Sequence, residues 1–227
     1  VLDQCRYLAA ELWEKRPGIV LEIAQDMDHY GRMALHAGLG FAHDLVAYDL
    51  GALLARAAVT ELPELPALLD VFLRLRQRFP NLFLVLVPRH PERSRDAAKE
   101  LEARGVKFVY RNEVNSNGRV KYGLDELQCL LVNTTGELKF FYEHATVIFV
   151  GKSLTAEGGQ NPIEPGALGK AMVFGPNMQN FAEVARNFVA CNGAVQVRDA
   201  SELEAALAQL LTDPQRKPAL DVVHFFR

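Results

Sequence analysis

The hydrophobic positions of this chain follow two rhythms. From about residue 80 onward, short continuous apolar runs alternate with longer segments whose apolar residues recur at helical spacing. The run at 82–87, Leu-Phe-Leu-Val-Leu-Val, is the pattern of a strand buried on both faces. Residues 91–104 are charged and alanine-rich and end at Gly105, as a helix ends at its C-cap. The pattern continues with a strand at 106–110, a polar loop at 111–121 carrying Asn115-Ser116-Asn117-Gly118, and a strand at 127–132. It then predicts a helix at 136–144, a strand at 146–150, a glycine-rich loop, a short helix at 162–168 and a strand at 171–174. A helix at 180–190 places Phe181, Val184, Ala185 and Phe188 on one face, and a strand at 194–197 precedes a helix at 201–211 with Ser201 as its N-cap.

Upstream, residues 62–79 predict a helix: Leu65, Leu68, Leu69, Phe72 and Leu73 recur at helical spacing, and Pro80-Asn81 stops it. Residues 1–60 are less regular, with a helix at 2–15, a strand at 19–23 and a strand or irregular stretch at 41–50. Strands alternating with helices at these lengths predict an α/β fold: a Rossmann-like parallel sheet flanked by helices, with right-handed crossovers. Residues 1–60 form an unassigned α/β segment, a leader or remnant, ahead of one unit at 61–227. Ligands of such sheets bind beyond the carboxyl ends of the strands. The loops after Val87, Val132, Val150 and Phe174 are therefore the ones to search.

Composition narrows the function classes. With 227 residues, 49% of them hydrophobic, the chain can bury a sizeable core. A net charge of −3 argues against a nucleic-acid binder. Positive charge is local, clearest at Arg89-His90-Pro91-Glu92-Arg93-Ser94-Arg95. Cys5, Cys129 and Cys191 have no zinc or disulfide spacing, which fits a reduced, cytoplasmic compartment. No apolar run approaches the ~20 residues of a membrane span, and no signal peptide is visible. The chain opens on Val1, as a fragment or processed chain would.

Four strand ends carry loops that favour an anion. After 146–150, Gly158 and Gly159 let the backbone pass close to a ligand. Asn161 then suits an N-cap and Pro162 the first helical position, with Glu164 three residues after the cap. That arrangement reads either as a phosphate and sugar cradle, with Glu164 accepting from a ribose diol, or as a capping box on a tight turn. After 127–132, Thr134 and Glu137 have capping-box spacing beside Thr135 and Gly136. After 82–87, Arg89 offers a planar fork to phosphate or carboxylate and His90 a second donor; the alternative is a solvated basic face. After 171–174, the loop Gly175-Pro176-Asn177-Met178-Gln179-Asn180 is polar and by itself ordinary. Asp26-Met27-Asp28-His29 has the chemistry of a divalent-metal site but lacks a fourth ligand, so a polar loop is preferred. The convergence of four loops at one sheet edge argues for a nucleotide site.

Five motifs occur in order: Pro88-Arg89-His90-Pro91-Glu92-Arg93, Asn133-Thr134-Thr135-Gly136-Glu137-Leu138, Phe149-Val150-Gly151-Lys152-Ser153-Leu154, Gly158 through Lys170, and Phe174-Gly175-Pro176 with Asn180-Phe181. Their order and spacing resemble the 3-deoxy-D-manno-octulosonic acid (Kdo) transferases of lipopolysaccharide synthesis, over roughly residues 64–215. The stretch Glu164–Lys170 also resembles the wider glycosyltransferase-B class. The resemblance implies the C-terminal, donor-binding half of a glycosyltransferase-B fold. It implies CMP-Kdo as donor and a lipid A precursor as acceptor, at the cytoplasmic face of the inner membrane, without metal or cofactor. It places Arg89 and His90 at the donor's phosphate or carboxylate. Thr135, Gly136 and Glu137 would lie near the phosphate, Ser153, Gly158, Gly159 and Asn161 along the site, and Glu164 at the ribose.

The chain also departs from that family. No N-terminal acceptor domain with a catalytic carboxylate is recognisable in residues 1–60. Ala58-Val59-Thr60-Glu61 stands where the first donor-domain strand is expected, and 221–227 stops short of the returning helix. Two other functions therefore remain open: a truncated, non-catalytic nucleotide-binding module, and a glycosyltransferase-B enzyme that uses a UDP-sugar.

Overall fold

A computed structural model describes residues 18–23, 64–88, 91–114, 122–123 and 126–212, the first of these as a backbone strand. The elements are β1 (Gly18–Ile23), α1 (Leu65–Arg78), β2 (Phe83–Pro88), α2 (Ser94–Ala103), β3 (Phe108–Tyr110), β4 (Cys129–Leu131), α3 (Leu138–His144), β5 (Val147–Val150), α4 (Ile163–Ala167), β6 (Ala171–Phe174), α5 (Ala182–Ala190), β7 (Ala194–Gln196) and α6 (Ala200–Thr212). Among the described residues the strands form one seven-stranded sheet, ordered β3-β4-β2-β1-β5-β6-β7. Every pairing is parallel.

The alternation within each strand divides the core. Leu84 and Leu86 of β2 face the side covered by Leu65, Leu69 and Phe72 of α1, Leu101 of α2 and Leu203 and Leu207 of α6. Phe83, Val85 and Val87 face the opposite side, with Phe141 and Tyr142 of α3 and Ala185 and Phe188 of α5. Each fully buried large side chain contributes about 1.5–3 kcal/mol of transfer free energy. This two-sided burial is why the strands read as continuous apolar runs rather than alternating ones.

Most expected elements are present within a residue or two, with several local corrections. Residues 91–93 form a 3-10 turn before α2, and 179–181 form another before α5. The N-cap of α6 is not Ser201. Asp199 lies two residues earlier and its Oδ1 accepts from the N–H groups of both Ser201 and Glu202 at 2.9 Å. A carboxylate satisfies two of the helix's open donors at once, which a serine hydroxyl at position 201 does not.

The largest difference concerns the sheet's centre. β1 comes from the segment set apart as a leader, yet it lies between β2 and β5, with Val20 opposite Val85 on one side and Ile148 on the other. The expected gap in the sheet is thus filled by residues far upstream of Ala58–Glu61, which lie outside the described residues. So do the helix expected at 2–15, the stretch 41–50, the cluster Asp26–His29, the turn Asn115–Gly118 and the C-terminal 221–227.

Candidate functional site

The loops after β5 and β6 interlock at the carboxyl edge of the sheet. The first, 151–161, closes on itself: Gly159 N–H donates to the Lys152 carbonyl at 2.9 Å and Gln160 N–H to the Gly151 carbonyl at 3.2 Å. Gly159 has φ +70°. A β-carbon there would sit 2.6 Å from Met178 Sδ and 2.9 Å from Met178 Cα, so the sequence needs glycine for both conformation and space. The second loop holds the first through Asn177 N–H to the Ser153 carbonyl at 2.9 Å and Asn180 N–H to the Gly158 carbonyl at 2.8 Å. Gly158 N–H donates to Gln179 Oε1 at 2.8 Å. The loop 175–181, ordinary as a sequence, is therefore the wall that shapes the glycine loop.

Ser153 is fully buried. Its hydroxyl donates to the Val150 carbonyl at 2.6 Å and accepts from Gly175 N–H at 2.8 Å. Its hydroxyl proton is thus committed inside the protein, and it ties the two loops together instead of facing an open mouth. Glu64, at the start of α1, was not singled out from the sequence. It is 2% exposed, and its carboxylate crosses to the first loop. It accepts from Lys152 N–H at 2.6 Å, from Leu154 N–H and from Thr155 N–H at 3.0 Å. Lys152 has φ +54°, a left-handed conformation that costs a residue with a side chain roughly 1–2 kcal/mol. No local pattern betrays this contact, because Lys152 and Glu64 are 88 positions apart.

Gln160 and Glu164 carry polar groups left unspent among the described residues. Gln160 is 1% exposed, and both its amide atoms lack a hydrogen-bond partner among the described residues. Such a buried amide costs about 1–3 kcal/mol unless something else satisfies it. Asn161 Oδ1 accepts from Ile163 N–H at 2.9 Å, the turn-initiating bond expected of it, although the assigned helix begins later. Glu164 is exposed. Its side chain does not close the expected capping box and has no partner among the described residues.

The loop after β4 is organised differently from its capping-box reading. Glu137 makes no cap bond. Its carboxylate instead accepts from Arg111 Nη2 at 2.7 Å and from the Thr134 hydroxyl. A charge-assisted bond to a guanidinium outcompetes a backbone N–H for the same oxygens. Asn133 Oδ1 accepts from Asn112 N–H at 3.1 Å, so the 3-10 turn after β3 braces this loop twice. Thr135 and Gly136 remain exposed at its tip. Lys170, part of the family-like motif, donates to the carbonyls of Glu143 and Ala145 at 2.6 and 3.2 Å and so closes the end of α3. Arg89 and His90 lie outside the described residues.

No family model matches the chain. Individual relatives do. It is 38% identical over 146 residues to the 3-deoxy-D-manno-octulosonic acid transferase of Bordetella pertussis, an alignment spanning 64% of this chain and 33% of that protein. Its identity to the same enzyme of Haemophilus influenzae is 34% over 149 residues, again 64% of this chain and 33% of that one. The chain thus resembles Kdo transferases in sequence and spans about a third of the length of these relatives. Among solved structures, it superposes on the C-terminal CMP-Kdo binding domain of WaaA from Acinetobacter baumannii with a TM-score of 0.68 at 21% identity, covering 96% of this chain and 93% of that one. An α,α-trehalose-phosphate synthase (UDP-forming) from Burkholderia vietnamiensis gives 0.52 at 15% identity, covering 96% of this chain and 44% of that one. At those identities the likeness is one of fold alone: a parallel sheet flanked by helices, as in these glycosyltransferase domains. Among the described residues, no helix is long and apolar enough to cross a membrane.

Proposed function

We propose that this chain is the donor-binding portion of a Kdo transferase, which holds CMP-Kdo for transfer of Kdo to a lipid A precursor. The observation that carries the reading is the unspent polar chemistry of Gln160 and Glu164, at the carboxyl edge of a parallel sheet. Gln160 is buried without a partner, and Glu164 faces solvent without one among the described residues. The surrounding polar groups of Ser153, Glu137 and Glu64 are engaged within the protein. The sequence resemblance to Kdo transferases supports the choice of donor.

In this reading Glu164 accepts hydrogen bonds from the ribose diol, and Gly158, Gly159 and Asn161 let the nucleotide approach the backbone. Thr135 and Gly136 face the phosphate, and Arg89 and His90 supply positive charge to the phosphate or carboxylate of the donor. Ser153 and Glu137 contribute by fixing the two loops, not by touching the donor with their side chains. The leaving nucleotide's phosphate is stabilised by fixed dipoles and basic side chains as the bond to the sugar breaks. The donor-binding unit comprises residues 61–227 and, through its place in the sheet, β1. The intact protein works at the cytoplasmic face of the inner membrane, where its acceptor resides. We assign no catalytic base to this chain.

The test is thermal unfolding with CMP, CMP-Kdo and UDP. A ligand held at about a hundred times its dissociation constant adds roughly 2.7 kcal/mol of stability. CMP is expected to raise the melting temperature, and Glu164→Ala and Arg89→Ala to remove the effect. An unmoved transition at saturating CMP would overturn the proposal, and stabilisation by UDP in its place would favour a UDP-sugar enzyme. Turnover with CMP-Kdo and acceptor lipid separates an enzyme from a binding module.

A further inference from the structure

We propose that Glu64 is a positioning residue for the donor site: its buried carboxylate sets the conformation of the loop 151–161, and the loop binds the nucleotide well only when so set. The inference rests on the donor-site reading above and names the group that presets that site.

The argument follows a relay of hydrogen bonds. Glu64 Oε2 holds Lys152 N–H at 2.6 Å. The Lys152 carbonyl in turn accepts from Gly159 N–H at 2.9 Å. Glu64 Oε1 holds Leu154 and Thr155 N–H on the outgoing arm of the loop. Lys152 is kept at φ +54°, a conformation its side chain disfavours, so its orientation is imposed and not intrinsic. If the Lys152 peptide turns back toward ordinary φ, its carbonyl releases Gly159, the residue on which the returning arm pivots toward Asn161 and Glu164. Three N–H donors gathered on one oxygen pair are a nest for an anion. Here the protein fills that nest with its own carboxylate, so these donors shape the loop and are not offered to a ligand's phosphate. Glu64 also begins α1, where Leu68 N–H donates to its carbonyl at 3.0 Å. The clamp is therefore anchored to a 14-residue helix in the core.

The experiment compares the full chain with Glu64→Gln and with Glu64→Gln plus Lys152→Gly, reading CMP affinity by calorimetry, thermal stability, and hydrogen exchange of the Lys152, Leu154 and Thr155 amides. Gln keeps the volume and one acceptor but turns an N–H₂ toward Lys152 N–H. The single variant is expected to bind CMP about tenfold more weakly, the equivalent of one charge-assisted hydrogen bond, and to exchange the Lys152 amide faster. Glycine adopts positive φ without a steric cost. The double variant is therefore expected to regain most of the CMP affinity while remaining less stable than wild type. A merely structural role would leave affinity and stability moving together. Should Glu64→Gln fail to fold, Glu64→Asp, which withdraws the oxygens by about one bond length of ~1.5 Å, is read in the same assays and is expected to shift them in the same direction. Unchanged CMP affinity, unchanged exchange at Lys152, or a double variant as weak as the single one would overturn the proposal. If wild type itself does not bind CMP, the donor reading fails, and hydrogen exchange still decides whether Glu64 holds the loop.

Discussion

Gly175 N–H donates to the hydroxyl of Ser153 at 2.8 Å, and the two backbones approach so closely that a β-carbon on Gly175 would lie 2.2 Å from the Ser153 carbonyl oxygen. This contact joins the loops after β5 and β6. Gly175→Ala cannot be relieved by a side-chain rotation, because Leu154 Cα would also lie 2.5 Å away. We expect a loss of roughly 1–3 kcal/mol or more, read by urea unfolding, together with weaker stabilisation by CMP. Ser153→Ala leaves the buried Gly175 N–H without its acceptor and should cost about 1–3 kcal/mol.

Arg111 and Glu137 form an ion pair whose side chains are 11% and 22% exposed. Arg111→Met removes the guanidinium but leaves Glu137 its bond to Thr134. Because solvent still reaches the carboxylate, the cost should be about 1–3 kcal/mol, below that of breaking a fully buried pair. If the loop 133–137 faces the donor phosphate, CMP affinity falls as well, which calorimetry on the folded variant would report.

Glu164 presents the opposite case. It is exposed and has no partner among the described residues, so Glu164→Ala should change stability by no more than about 0.5 kcal/mol. The same substitution should abolish the CMP-induced rise in melting temperature. A variant that is destabilised yet still binds CMP would show Glu164 to be structural.

The two described cysteines should differ in reactivity. Burial among apolar strands raises the Cys129 thiol far above its ordinary range, whereas Cys191 is exposed. Iodoacetamide at pH 8, read by peptide mass mapping, should label Cys191 and spare Cys129 until the protein unfolds. The folded state holds the Cys129 proton more tightly than the unfolded state does. The stabilisation is therefore fully present below the ordinary thiol pKa of about 8.5 and is lost as pH rises above it. Cys129→Val should flatten the alkaline decline in unfolding free energy.

The apolar runs of β2, β5 and β6 were legible because both faces of each strand are buried, so every residue carries the signal. The turn role of Asn161 was legible because an Asx bond spans only two positions. The capping boxes were not legible as such. The spacing of Thr134 with Glu137, and of Asn161 with Glu164, is compatible with a cap, but it does not say whether a better partner lies elsewhere in the fold. Glu137 has one in Arg111, which reaches it from 26 positions away.

From sequence alone the chain determined its class of fold and which loops follow the carboxyl ends of the strands, because strand burial, helix periodicity and loop composition are short-range properties. Tertiary structure alone decided that β1 sits at the centre of the sheet, that Ser153 is spent on Gly175, and that Glu64 governs the glycine loop. Strand order and side-chain-to-backbone bonds between distant segments depend on which surfaces meet once the core has formed, and no local pattern of residues encodes that meeting.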